Sequence, residues 1–178
     1  MSVKSTDQAY GLAARALHWS IALLIIAQFA IAWYADGLPK PERIEMIRLH
    51  KSVGMIVLML GAIRLLWWAL DSVRPGDGDL TWEKWPSRLV KWSLAFLAAG
   101  MPLSGWLMSS ADKYPVSLFG LVTFPPLLEP DKELGHLLKA VHENLGVVIL
   151  ILVALHVGGA LRHHFILKDR ILLRMVGR

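Results

Sequence analysis

Four stretches of this chain are apolar over a length that ordinary core segments do not need. They cover residues 16–34 (ALHWSIALLIIAQFAIAWY), 47–70 (IRLHKSVGMIVLMLGAIRLLWWAL), 89–108 (LVKWSLAFLAAGMPLSGWLM) and 137–165. Each supplies the ~20 residues that cross ~30 Å of hydrocarbon at 1.5 Å per residue. No water is present inside a bilayer to satisfy the backbone, so each run is expected to be a helix. The pattern therefore predicts an all-α membrane protein, a four-transmembrane-helix bundle forming a single domain over residues 1–178. The first run has a basic flank but is longer than a signal-peptide core. No small-x-small cleavage pattern follows it, so retention as the first helix is expected.

The polar positions between the runs set the orientation. Lys4 and Arg15 precede the first helix; Arg74, Lys84, Arg88 and Lys91 separate the second from the third. Arg162, Lys168, Arg170, Arg174 and Arg178 follow the fourth. On the opposite side, basic residues are interleaved with Asp and Glu. The positive-inside rule then places both termini in the cytoplasm. The net charge of +5 is read as topology, with no nucleic-acid motif beside it. Hydrophobic residues make up 55% of the 178, in keeping with a membrane class. Cysteine is absent, which excludes disulfides, iron–sulfur clusters and covalent c-type haem attachment.

Histidines are out of place in such helices, and four of them fall into a pattern. His142 and His156 are fourteen residues apart on the fourth helix. At 100° per residue they share a face, ~21 Å apart along the axis. His18 opens the first helix on the cytoplasmic side, and His50 opens the second on the outer side. Antiparallel packing lets His18 meet only His156, and His50 meet only His142. A lone intramembrane histidine often does no more than hydrogen-bond a carbonyl. Two level pairs are harder to explain that way, because ionisable groups in lipid are costly. Zinc or copper wants three or four protein ligands, and neither pair has a carboxylate or thiol to complete that shell. A haem iron needs only two axial ligands, and bis-histidine ligation suits electron transfer. Two non-covalently held haems, on His18/His156 and His50/His142, are the expected cofactors.

Other residues extend the pattern. Gly54 and Gly146 lie one turn beyond His50 and His142, where a flat macrocycle could approach a backbone; Gly158 and Gly159 adjoin His156. The alternative is small-residue packing of helices. Arg64, fourteen residues after His50, is expected at the level of the cytoplasmic pair, as a propionate partner or a snorkelling side chain. Arg15 is a second propionate candidate; Arg48 and Lys51 flank His50 and could serve the outer haem.

The segments LHWSIALLIIAQF, IRLHKSVGMIVLMLGAIRL, GMPLSGWLMS and VHENLGVVILILVALHVGGALRHHFILKDRILLRM together resemble the bacterial cytochrome b561 family, over nearly the whole chain. The likeness is greatest to its four-helix superoxide-oxidase branch. The resemblance implies a dihaem b-type cytochrome of the bacterial inner membrane, with axial ligands His18, His50, His142 and His156. It also implies electron exchange with ubiquinone and, in that branch, oxidation of superoxide at the outer haem. One departure is Arg88 and Lys91 near the start of the third helix, where family members often carry histidine.

Superoxide is an anion, so Arg43, Arg48 and Lys51 are candidates for a field that draws it in; Glu42, Glu45 and Glu143 oppose that field. Quinone reduction consumes protons. His163, seven residues beyond His156, is a candidate quinone contact or proton relay, with wetting at the interface as the plainer reading. His164 and His136 read as solvated. The segment YPVSLFGLVTFPPLL is too short and proline-broken to span, and is expected to cover the outer haem edge or to meet a second copy in a homodimer. Pro102 should kink the third helix and free a carbonyl. Competing readings are a cytochrome b conduit between a periplasmic dehydrogenase or hydrogenase and quinone, a histidine-based metal or proton transporter, and a cofactor-free anchor.

Overall fold

The computed structural model describes residues 2–6, 9–71 and 84–177. Arg74 and Arg178, used above for orientation, lie outside the described residues. Four long helices carry the architecture: α1 (Leu12–Asp36), α2 (Lys40–Leu70), α3 (Lys84–Ala111) and α4 (Lys132–Arg162). Each is long and apolar enough to cross a membrane. The chain is a multi-pass, mostly helical membrane protein. Leu23, Ile26, Leu66, Phe96 and Ile151 are exposed on the bundle's outside, where lipid rather than water would surround them.

Helix α1 packs along α2, α2 along α3, and α3 along α4. The backbone of α4 stands off from both α1 and α2. Small residues make the tightest crossing. Gly61 of α2 lies so close to α3 that an added methyl would sit 3.2 Å from the Ala98 carbonyl. Pro102 has no N–H to offer that carbonyl, one turn earlier in α3. The carbonyl that Pro102 leaves without its helical partner thus lies against Gly61 of α2, a small-residue contact of the kind common in membranes.

The connection from α3 to α4 is more ordered than an apolar, proline-broken stretch suggests. It forms a two-stranded antiparallel hairpin, β1 (Val116–Leu118) and β2 (Val122–Phe124). Phe119 and Gly120 take positive φ angles of 50° and 74°, the twist that tight hairpin turns require. Leu121 N–H closes the turn on the Leu118 carbonyl at 2.9 Å. Buried serines tie this hairpin down. Ser52 Oγ accepts from Phe119 N–H at 2.9 Å and lies 2.9 Å from the Ser117 carbonyl, only two residues beyond His50. Ser110 Oγ accepts from Leu127 N–H at 3.0 Å, and Trp106 Nε1–H donates to the Pro125 carbonyl at 3.1 Å.

Both chain ends fold against the other face. Ser5 donates through its backbone N–H and its hydroxyl to the buried carboxylate of Asp71 at the end of α2. At the far end α4 loosens into one π-helical turn, His163–Leu167, stopped by Lys168 at φ 54°. The short α5 (Ile171–Val176) then docks on α1, where Trp19 Nε1–H donates to the Met175 carbonyl at 3.1 Å.

Candidate functional site

The stand-off between α4 and its partners α1 and α2 is bridged by imidazoles. His18 of α1 faces His156 of α4, with ring centres 6.0 Å apart and planes inclined at 61°. His50 of α2 faces His142 of α4, with centres 6.4 Å apart and planes at 81°. All four rings are half-buried. Metal–imidazole bonds of ~2 Å place the ring centres of two trans ligands roughly 6 Å apart. Both pairs therefore have the spacing of two imidazoles on opposite sides of one metal ion. Among the described residues no three His, Asp or Glu side chains come together. Each site thus offers two donors, too few for a protein-bound zinc or copper ion but sufficient for an iron whose other four ligands come from a macrocycle.

The His50–His142 pair makes neutral hydrogen-bond contacts, and the charges that act on it, Lys51 on His50 and Glu143 on His142, are of opposite sign. Ser104 of α3 donates its hydroxyl hydrogen to the Met101 carbonyl at 2.7 Å, and its Oγ lies 2.9 Å from His142 Nδ1. On the other ring, His50 Nδ1 is buried without a hydrogen bond of good geometry. Gln28 Nε2–H donates to the His50 carbonyl at 3.0 Å. The glycines expected to admit a macrocycle meet side chains instead. A methyl on Gly54 would lie 3.0 Å from the Gln28 amide nitrogen, and one on Gly146 would touch Met101 and Phe29. Around Gly158 and Gly159 an added methyl would meet nothing within 4 Å.

The inner pair lies under positive charge. Arg64 is half-buried, and its charge acts on both His18 and His156. Lys91 of α3 also acts on His156. The Arg15 guanidinium packs against Gly177 at the end of α5. His163 is buried at the head of the π-helical turn and hydrogen-bonds through Nδ1 to Asp169 Oδ2. Asp169 Oδ1 in turn accepts from Ile171 N–H at 3.0 Å, which fixes the carboxylate against α5.

The expected superoxide approach is muted in the structure. Arg48 is paired with Glu45 at 2.6 Å and Arg43 with Asp36 at 2.8 Å. Lys51 donates to the Pro115 carbonyl at 3.4 Å and lies 5.3 Å from the centre of the Tyr114 ring. These cations are engaged with the hairpin and with acidic neighbours.

Residues 9–178 match the family model of the prokaryotic cytochrome b561. The chain belongs to that family. It is similar to cytochrome b561 homolog 2 of Escherichia coli K12, 33% identical with all of this chain and 96% of that protein aligned. It also resembles cytochrome b561 homolog 1 of the same organism, 28% identical over 91% of this chain and 93% of the relative. A third relative, from Yersinia pestis, carries the name "Probable superoxide oxidase CybB" and is 28% identical over 90% of this chain and 91% of its own length. The chain is accordingly an electron-transfer membrane protein of a cytochrome b561 family that binds b-type haem. Three residues that the sequence reading had not assigned lie against these histidines or act on them: Ser104 on His142, Lys91 on His156 and Asp169 on His163. The signals were slight: a serine two residues after a proline, a lysine near the start of α3, and an aspartate six residues beyond His163.

Proposed function

We propose that this chain is a dihaem b-type cytochrome that carries electrons across the bacterial inner membrane, from superoxide at the outer face to ubiquinone on the cytoplasmic side. The observation that carries the haem part is the pair of facing imidazoles at each end of α4, with ring centres 6.0 and 6.4 Å apart. His18 and His156 hold the inner haem iron; His50 and His142 hold the outer one. When bound, b haems supply one-electron carriers that need no moving part of the protein. Both termini lie in the cytoplasm, and residues 1–178 act as one domain.

The reaction balances simply. Two superoxide anions each give up one electron and leave as dioxygen; one ubiquinone takes both electrons with two protons and leaves as ubiquinol. The residues divide this work. Arg64, with Lys91, supplies the positive charge that haem propionates require at the inner site. His163, oriented by Asp169, contacts the quinone or relays its protons, since an imidazole can hold and pass one near neutral pH. Superoxide as donor rests on the likeness to the Yersinia pestis relative and on no residue of the outer face. Its entry relies little on Arg48 and Lys51, which are already engaged.

The test is rapid-mixing absorbance of the oxidised, detergent-purified protein pulsed with superoxide, with and without ubiquinone. Reduced b-type bands that rise in milliseconds to seconds and decay on adding quinone are the expected result. Bands raised by ubiquinol or dithionite but not by superoxide leave a haem conduit serving another donor. No haem bands under any reductant removes the reading entirely.

A further inference from the structure

Of the two outer imidazoles, only His142 has a hydroxyl oxygen against its second ring nitrogen. Ser104 is buried in α3, at 7% exposure, and its single hydroxyl hydrogen is committed to the Met101 carbonyl at 2.7 Å. A hydroxyl that has given its hydrogen away is an acceptor to its other neighbours. The 2.9 Å contact with His142 Nδ1 is therefore one in which Nδ1–H donates to Ser104 Oγ, with the Met101 backbone a second acceptor beside the same ring. This fixes the tautomer: Nε2 carries the lone pair, as a metal ligand must. The next residue fixes the ring's position. A methyl on Gly105 would lie 3.0 Å from His142 Cε1 and 3.4 Å from Nδ1, so the imidazole edge rests on the α3 backbone.

We infer that Ser104 is a positioning residue for the outer iron ligand, holding His142 in its Nε2-ligating tautomer and lowering the midpoint potential of the outer haem relative to the inner. The inference rests on the proposed ligation by His142. An acceptor on the distal N–H makes an imidazole a stronger donor to its metal, and a more basic ligand favours the oxidised ion. His50 Nδ1 makes no hydrogen bond of good geometry, its nearest acceptor being the Gln28 backbone, so the stronger acceptor stands on the His142 side. Nothing in this role requires Ser104 to touch substrate.

The measurement is a redox titration of purified protein as isolated with its haem, followed by absorbance and by electron paramagnetic resonance of the low-spin ferric signals. Ser104→Ala is expected to raise the midpoint of one haem, leave the other in place, and move only one low-spin signal. Ser104→Thr keeps the hydroxyl and is expected to restore both. If Ser104→Ala is isolated without its outer haem, Ser104→Cys, a weaker acceptor in a loaded site, must show the same upward shift. Midpoints and signals unchanged in the loaded variants, or both haems displaced equally, overturn the role of Ser104 while leaving His142 a ligand. Wild-type protein without bis-imidazole signals overturns the ligation, and this inference with it.

Discussion

The two histidine pairs are built from the same residue type at the same helical interval, yet their surroundings differ in kind. Around the outer pair the hydrogen-bond contacts are neutral and the charges offset: Ser104 lies against His142, Gln28 on the His50 carbonyl, and Lys51 and Glu143 act with opposite sign on His50 and His142. Around the inner pair the strongest neighbours are cations, Arg64 on both rings and Lys91 on His156. An added electron is favoured beside positive charge, by more in a poorly screened membrane interior than in water. The acceptor on His142 acts the other way at the outer site. On the proposed function both asymmetries would favour the electron at the inner end, the direction that donation at the outer face and quinone reduction at the inner face require.

The severest test of this comparison is to remove one ligand from each pair. His142→Ala and His156→Ala should each cost one haem and leave the other, since the pairs share no ligand and sit ~21 Å apart along α4. Haem per chain, measured by pyridine haemochrome, should halve in either variant and vanish in the double. Loss of both haems from a single substitution would mean that the pairs are one cooperative site. At the inner end, His163→Gln and Asp169→Asn should slow quinone reduction by about 100-fold, the typical share of a positioned acid–base group. Reduction of the haems by superoxide should keep its wild-type rate in both. Equal slowing of the two half-reactions would instead make the His163–Asp169 contact a structural clasp for the π-helical turn.

A smaller effect is expected where charge alone is changed. Arg64→Leu should weaken retention of the inner haem by about tenfold, corresponding to a lost charge-assisted hydrogen bond of ~1.5 kcal/mol. The inner midpoint should fall and the outer one stay. If Arg64→Leu lowers both midpoints equally, Arg64 does not belong to the inner site and the electrostatic contrast between the pairs fails.

These differences explain which parts of the site could be read from sequence. The histidine pairs were legible because a membrane helix has a fixed rotation per residue, so fourteen positions return His156 to the face of His142 regardless of side-chain detail. The four spans were legible for the same reason, since bilayer thickness sets their length. Ser104 was not, because a serine in a membrane helix has several backbone acceptors of its own. Its meaning depends on the α3–α4 contact that brings His142 to it. Gly54 depends on such a contact too: a methyl there would meet the amide of Gln28, a residue on another helix. The hairpin was hidden because its strands are three residues each and held by tertiary contacts to Ser52 and Ser110. Asp169 reaches His163 only because α4 widens into a π-helical turn, which no periodicity announces.

The smallest predicted effect concerns the outer surface, where cations expected to attract superoxide are paired. An exposed ion pair such as Arg48–Glu45 has little net charge seen from a Debye length away, and such pairs contribute at most ~1 kcal/mol. Arg48→Gln should therefore lower the rate of haem reduction by superoxide by only about two- to threefold at low salt, because it unmasks the charge of Glu45. Glu45→Gln is the mirror variant. It unmasks Arg48 without altering the helix, and should raise that rate about two- to threefold at low salt, with the gain gone at ~0.5 M salt. A strong loss in Arg48→Gln would show that superoxide is drawn in through this residue despite its partner. The contrast between a neutral outer site and a cationic inner one would then have to be redrawn at the surface.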